Sequence, residues 1–515
     1  MEVDFHPPPF LIYNSIFNDF ENSVIYKKKG IYIMALLNVK TAYGEVQGIA
    51  GSNGKCSVFK AIPYAKPPVG SLRFRPAQKM EPWHGIKVCD EFAPAPMQPV
   101  IAGTPEVMSE DCLYLNIWTP AEKAGEKLPV FFWIYGGAFT FGYSHEPVYD
   151  GEALAERGCI LVTINYRVNV FGFFNTPELE EINGGAKCCG ILDQIAALEW
   201  VKENIEQFGG DPDNILVFGQ SAGGMSTRML LTSPLTEGKF ARAVVHSGGG
   251  LSEGDLVRPT EEFRNMCVRT LEHVGWTFDD IMKADSQEVF DVMTKGVREM
   301  MNDGDLQYFQ PFIDGCALTE VPGVKIYKGD YHKVPIICLT VAGDSWMFTR
   351  KVRKDLEGNI SYFRGFAISP SVAWAEHNIE TGEEPIYSIY MDRKQPPKEQ
   401  AYYTHGLPPF GADTPHAAEL AYIFGTLDRK GLNYPQFDYD MAEILRSYWV
   451  NFAKTGDPNG EGLPVWPKYT AESRKSMHFG DDGFKLENVI TNDDEKRVIT
   501  FCKDHPGMLC SLEDF

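Results

Sequence analysis

An acyl-transfer nucleophile built from a hydroxyl needs three side chains: the hydroxyl, an imidazole to take its proton, and a carboxylate to hold the imidazole. The stretch 214–226 offers the first. Asn-Ile-Leu-Val-Phe is an apolar, β-branched run that stops at Gly219; Gln220 and Ser221 follow, then Ala222, Gly223 and Gly224, then a helix-like pattern through Met229 and Leu230. This order predicts strand, sharp turn and helix, with Ser221 at the apex. Such a turn crowds the backbone, so its neighbours must be small. It also aims the Ala222 N–H, at the positive end of a helix, toward the space above the serine. Small residues alone make only a turn; the strand before and the helix after give the serine a chemical reading.

The other groups are sought along the rest of the chain. Most of the 11 histidines read as surface or satisfied core residues. His416 stands in a small-residue loop, Gly-Ala-Asp-Thr-Pro-His-Ala-Ala-Glu over 411–419, where a ring has room to move between nucleophile and leaving group. His405, in Thr-His-Gly, rivals it on loop character, and His246, at a predicted strand end, reads as structural. The carboxylate belongs on a loop after a later strand. Asp344 follows the apolar run 336–341 and fits; Asp314, in Ile-Asp-Gly, reads as a turn residue, and it and Glu320 are the substitutes should Asp344 fail. Serine, acid, histidine is also the order in which this architecture delivers the groups. Donors for a developing oxyanion are expected where the apolar run 128–135 ends in Gly136-Gly137-Ala138-Phe139, since bare backbone N–H groups can approach a substrate oxygen there. Gly137 and Ala138 are the candidates, with Ala222 as the third donor; the plain alternative is a tight strand-to-loop turn.

The elements that must position these groups read as α/β. Residues 39–74 alternate and are punctuated by Gly and Pro, as short antiparallel strands are. The runs 128–135, 160–166 and 215–218 are apolar throughout, as strands buried on both faces are. Helical spacing runs from Leu192 to Phe208 and is stopped by Gly-Gly-Asp-Pro at 209–212. Further strands are expected at 242–248, 334–341 and 385–390, and an amphipathic helix over 441–453. Strands alternating with helices predict a mostly parallel sheet covered on both faces. Residues 252–308 are charged and helical and read as an excursion over the active-site side. Residues 1–33, with His-Pro-Pro-Pro and a late Lys-Lys-Lys, read as an N-terminal extension, and 34–515 as a single catalytic unit without internal repeats.

Composition narrows the partners. Lys and Arg total 48 against 70 Asp and Glu, a net charge of −22, which repels nucleic acid and anionic membrane surfaces. No run approaches the length of a transmembrane helix. The 11 cysteines are scattered, with no Cys-x-x-Cys and no zinc-type Cys/His spacing; no His-Glu-x-x-His occurs either. Free buried thiols and a reducing, cytoplasmic location are expected, with secretion as the lesser alternative. The chemistry requires neither metal nor cofactor. The expected partner is a small-molecule ester, and the composition leaves monomer and dimer open.

The sequence resembles the type-B carboxylesterase and cholinesterase family of α/β hydrolases. The matching stretches are 59–65, 109–116, 133–139, 190–194, 208–212, 218–224, 416–425 and 451–458. The resemblance implies Ser221 as nucleophile, Asp344 as acid, His416 as base, and an oxyanion hole of Gly137, Ala138 and Ala222. It selects His416 over His405 through the trailing Glu419 and Tyr-Ile-Phe-Gly at 422–425. Several positions depart from the family pattern. Gln220 stands where cholinesterases carry Glu, and the choline-site tryptophan position falls on Ala102, so a quaternary ammonium loses a carboxylate and a cation–π partner. Ala138 replaces a third glycine, the acid is Asp rather than Glu, and Leu339 stands at a family glycine. The disulfide partner expected for Cys112 falls near Met97, with Cys89 out of register, which implies an intracellular, bacterial-style member. The short spacing from 344 to 416 implies trimmed helices and an open cleft. The implied activity is hydrolysis of carboxylic esters of small to medium neutral molecules through an acyl-enzyme. A lipase, a feruloyl- or cinnamoyl-type esterase, and a catalytically silent binding protein of the same fold are the alternatives.

Overall fold

The computed structural model describes residues 23–28, 31–52, 54–100, 103–105, 107–251, 257–300, 309–346, 360–396, 414–488 and 490–508. Eleven strands form one sheet: β1 (Ile49–Ala50), β2 (Ser57–Pro63), β3 (Tyr114–Thr119), β4 (Leu128–Ile134), β5 (Ile160–Ile164), β6 (Gly210–Gln220), β7 (Arg242–His246), β8 (Ile336–Val341), β9 (Tyr387–Met391), β10 (Lys475–Gly480) and β11 (Gly483–Asn488). Their order across the sheet is β11-β10-β9-β8-β7-β6-β4-β5-β3-β2-β1. The seven strands from β5 to β10 run parallel, while β1 to β3 and β11 join antiparallel.

The apolar runs behave as fully covered strands should: every residue of β5 and β8 is buried, and β4 is buried from Pro129 onward. The cover comes from α1 (Cys189–Asn204), α2 (Ala222–Thr232), α3 (Thr260–Val274), α4 (Phe278–Lys283), α5 (Ser286–Met300), α6 (Ile360–Thr381), α7 (Leu420–Phe424), α8 (Gln436–Thr455) and α9 (Asp493–Asp504), together with other short helices. The excursion is indeed helical (α3 to α5), though 252–256 and 301–308 lie outside the described residues. Arg73 ties it down: one guanidinium nitrogen donates to the carbonyls of Ile281 and Ala284, while Nε donates to Glu110 at 2.8 Å. Part of the N-terminal stretch forms a hairpin, Ser23–Lys28 against Ile31–Leu36.

One boundary departs from expectation. The Gly-Gly-Asp-Pro sequence ends the helical segment, with Gly209 left-handed at φ 86°, but the strand resumes at once. Strand β6 begins at Gly210 and carries Asp211 and Pro212 within it. Its register against β4 shifts between Leu128 and Val130, and that irregularity accommodates a proline that has no N–H to donate.

Candidate active site

The nucleophile candidate sits where β6 meets α2. Ser221 has φ 58° and ψ −126°, a conformation that L-residues avoid and that persists only where surroundings impose it. The surroundings are backbone. A Cβ on Gly219 would stand 2.3 Å from the Gly223 carbonyl oxygen, and one on Gly223 would stand 2.0 Å from that of Ile134 in β4. The glycines let turn, helix and neighbouring strand close on each other. The Ser221 N–H donates to the His246 carbonyl at 2.9 Å, and the Ser221 carbonyl accepts from Met225 N–H at 2.8 Å. These bonds pin the turn on both sides.

Asp344 lies on the 3-10 turn Ala342–Trp346 that follows β8, and it is fully buried. Its Oδ2 accepts from Val341 N–H at 2.9 Å, and its Oδ1 lies 2.6 Å from His416 Nδ1. A carboxylate accepts only, so Nδ1 carries the hydrogen and Nε2 of the neutral ring is the acceptor. The two turns also meet through the backbone. Gly343 N–H donates to the Thr414 carbonyl at 3.0 Å, and a Cβ on Gly343 would stand 2.7 Å from His416 N. His416 keeps 16% of its side chain exposed, while Ser221 is 6% exposed.

The third meeting is between His416 and the serine turn. Gln220 Nε2 lies 2.9 Å from His416 Nε2 and 3.5 Å from Nδ1. Among the described residues no hydrogen bond joins Ser221 Oγ to the ring; the contact is made by the residue before it. Such bonds are often long or misaligned before a substrate is bound. The end of β4 closes the group. A Cβ on Gly136 would come within 2.9 Å of Ser221 Cβ and 2.6 Å of the Gln220 carbonyl oxygen. Beyond it Gly137, Ala138 and Phe139 have φ 111°, 53° and 60°, and the Gly137 carbonyl accepts from Thr140 and Phe141 N–H. Ala222 is buried at the start of α2.

The remaining candidates lie elsewhere. Asp314 organises its own turn, accepting from the N–H groups of Cys188, Cys316 and Leu318. Glu320 pairs with Lys328 at 2.6 Å. His405, Ala102 and 411–413 fall outside the described residues. His246 is buried and does more than fill space. Its Nε2 accepts from Trp449 Nε1–H at 3.2 Å, and its Nδ1 faces Glu419 Oε1 at 3.4 Å. Sequence reasoning missed this link between β7 and the turn that carries His416. Glu419, three residues after His416, was the one visible signal for it. Cys112 and Cys89 are buried free thiols. Among the described residues no group of three or more His, Cys, Asp or Glu side chains could hold a metal ion, and no helix is long and apolar enough to cross a membrane.

A largely parallel sheet with a serine at a strand-to-helix turn, and with an acid and an imidazole brought to it by later loops, defines an α/β hydrolase. The carboxylesterase family model matches residues 36–402 and 360–497. Para-nitrobenzyl esterase of Bacillus subtilis is 31% identical over 494 residues, covering 87% of this chain and 96% of that protein. Liver carboxylesterase of Sus scrofa is 31% identical over 509 residues, covering 84% and 88%. A solved PNB esterase superposes with a TM-score of 0.77 at 30% identity, covering 90% of this chain and 99% of that one. The chain belongs to the carboxylesterase family, and the protein is a carboxylic ester hydrolase acting on small-molecule esters.

Proposed function

We propose that Ser221 is the nucleophile, His416 the general base and Asp344 its orienting acid, with the N–H groups of Gly137, Ala138 and Ala222 as the oxyanion hole. The observation that carries this reading is the 2.6 Å bond between Asp344 Oδ1 and His416 Nδ1, made beside the strained turn that presents Ser221. It fixes the tautomer that can take a proton on Nε2. Ser221 Oγ attacks the ester carbonyl as its proton passes to His416. The oxyanion is held by the three N–H groups, and the alcohol leaves with the proton from His416. Water then releases the acid by the same route.

The preferred substrates are neutral esters of small to medium size. Support comes from the position before the nucleophile, where an uncharged carboxamide rather than a carboxylate touches the ring. A cationic alcohol finds no counter-charge there. Residues 34–515 act as one unit, a reading supported by a single sheet that takes strands from Ile49 to Asn488. A reducing, cytoplasmic location is supported by free thiols at all ten described cysteines.

A fluorophosphonate probe tests the assignment. Purified protein should carry one adduct, on the peptide containing Ser221, and Ser221→Ala should lose both adduct and hydrolysis while melting at nearly the same temperature. An active Ser221→Ala protein would overturn it. A panel of p-nitrophenyl esters of rising chain length, with a cinnamoyl ester beside it, separates the small-ester reading from lipase and feruloyl-type activity.

A further inference from the structure

The contact between Gln220 and His416 has an unusual geometry. A donor in line with the lone pair of one ring nitrogen would stand far from the other. The Gln220 amide nitrogen is close to both, at 2.9 and 3.5 Å, so it lies over the face of the imidazole. The carboxamide is buried there. Gln220 is 4% exposed, and its Oε1 would stand 3.1 Å from a Cβ on Gly136, where β4 ends. The ring is therefore held at its edge by Asp344 and across its face by Gln220.

We propose that Gln220 is a positioning residue for the base, setting the plane of the His416 ring through the amide N–H on its π face. The inference rests on the assignment of His416 as base. An N–H dipole directed at an aromatic face is attractive while the ring is neutral and repulsive once it is an imidazolium. The contact therefore acts on the ring as it stands before the serine proton arrives, holding its plane. Among the described residues the other charged groups near this turn are Asp344 on Nδ1, Glu419 facing His246 of β7, and Arg393. The Arg393 carbonyl holds Thr414, and its guanidinium is occupied by Asp438 and Asp481.

The test compares Gln220→Met, which keeps the length and removes the dipole, with Gln220→Glu, which replaces the amide by a charge. Gln220→Met should lower kcat about fivefold to tenfold, roughly what one net hydrogen bond contributes, and leave KM within about twofold. Gln220→Glu should recover much of that turnover, with the acid limb of its kcat/KM profile moved up by about one pH unit, since a nearby carboxylate favours the imidazolium. Wild-type kcat in Gln220→Met, or an acid limb of Gln220→Glu that coincides with wild type, overturns the proposal. If Gln220→Met does not fold, the Gln220→Glu profile decides alone. Labelling of Ser221 by fluorophosphonate in the wild-type protein separates the two failures. Without it the base assignment falls; with it and unchanged variants, only the role of Gln220 does.

Discussion

In the proposed triad Asp344 acts at one remove from the ester, through the ring it holds. Asp344→Asn keeps the shape but offers Nδ1 an amide, which can stabilise the wrong tautomer. We expect kcat to fall by about 10³–10⁴, with the melting temperature little changed. Near-normal turnover in a pre-steady-state assay would move the acid role away from Asp344. Gly136→Ala is a second prediction at this scale. Its Cβ would press within 2.9 Å of Ser221 Cβ and 2.6 Å of a backbone oxygen, so the turn must shift. Fluorophosphonate labelling should slow by at least about tenfold, as misplacement of reacting groups does. Ser221, Asp344 and His416 were legible as candidates because each sits in a local pattern: a small-residue elbow, a loop after an apolar run, a loop of small residues. The face contact of Gln220 with His416 was not. It joins positions 196 residues apart, and no local pattern carries a distance of that kind.

At the scale of elements, the antiparallel edge of the sheet holds its own titratable clasp. His478 of β10 lies 2.6 Å from Asp392, just past β9, and 3.0 Å from Glu487 of β11. Burial pulls the imidazole toward its neutral form, but the Asp392 and Glu487 carboxylates outweigh it, and its pKa is raised above the usual value of 6.5. A group raised in the folded state contributes stability that is full below its unfolded pKa and is lost as pH rises through the folded one. His478→Gln should therefore lower the melting temperature most below about pH 6.5 and progressively less above it. A deficit that stays constant from pH 5 to 9 would show that the clasp does not titrate. This edge was also the least legible part of the fold. Strand β11 is half polar and half exposed, so it lacks the continuous apolar run that marked β4, β5 and β6. Helix α6 carries Gly365 and Pro370 within its span, both of which read as breakers. Helix α8 was found because its apolar spacing is unbroken, although it starts at Gln436, earlier than the pattern indicated.

At the scale of the molecule, the sheet and its helices are joined by a buried ion pair. Arg167, past the end of β5, donates through Nε and a terminal nitrogen to the two oxygens of Asp193 on α1, both at 2.7 Å, and neither side chain is more than 2% exposed. Asp193→Asn leaves a guanidinium buried without its counter-charge and should cost about 3–5 kcal/mol. Urea unfolding measures it, and a loss below about 1 kcal/mol would show that the cation finds another partner or water. The architecture itself was legible from the alternation of buried runs and helical spacing. The pairing of Arg167 with Asp193 was not, because it depends on how α1 settles against the sheet.

The separation of the proposed catalytic groups along the chain has a consequence for biosynthesis. Ser221 and His416 are 416 − 221 = 195 residues apart, and Trp449, which bonds the residue holding the Ser221 N–H, comes later still. At about 5–20 residues per second, a ribosome delivers the serine roughly 10–40 s before the imidazole. Through that interval the emerging polypeptide has a hydroxyl with nothing to deprotonate it. On the proposed assignment esterolysis switches on only after residue 416 has been made, so the serine cannot attack esters around the nascent chain before then.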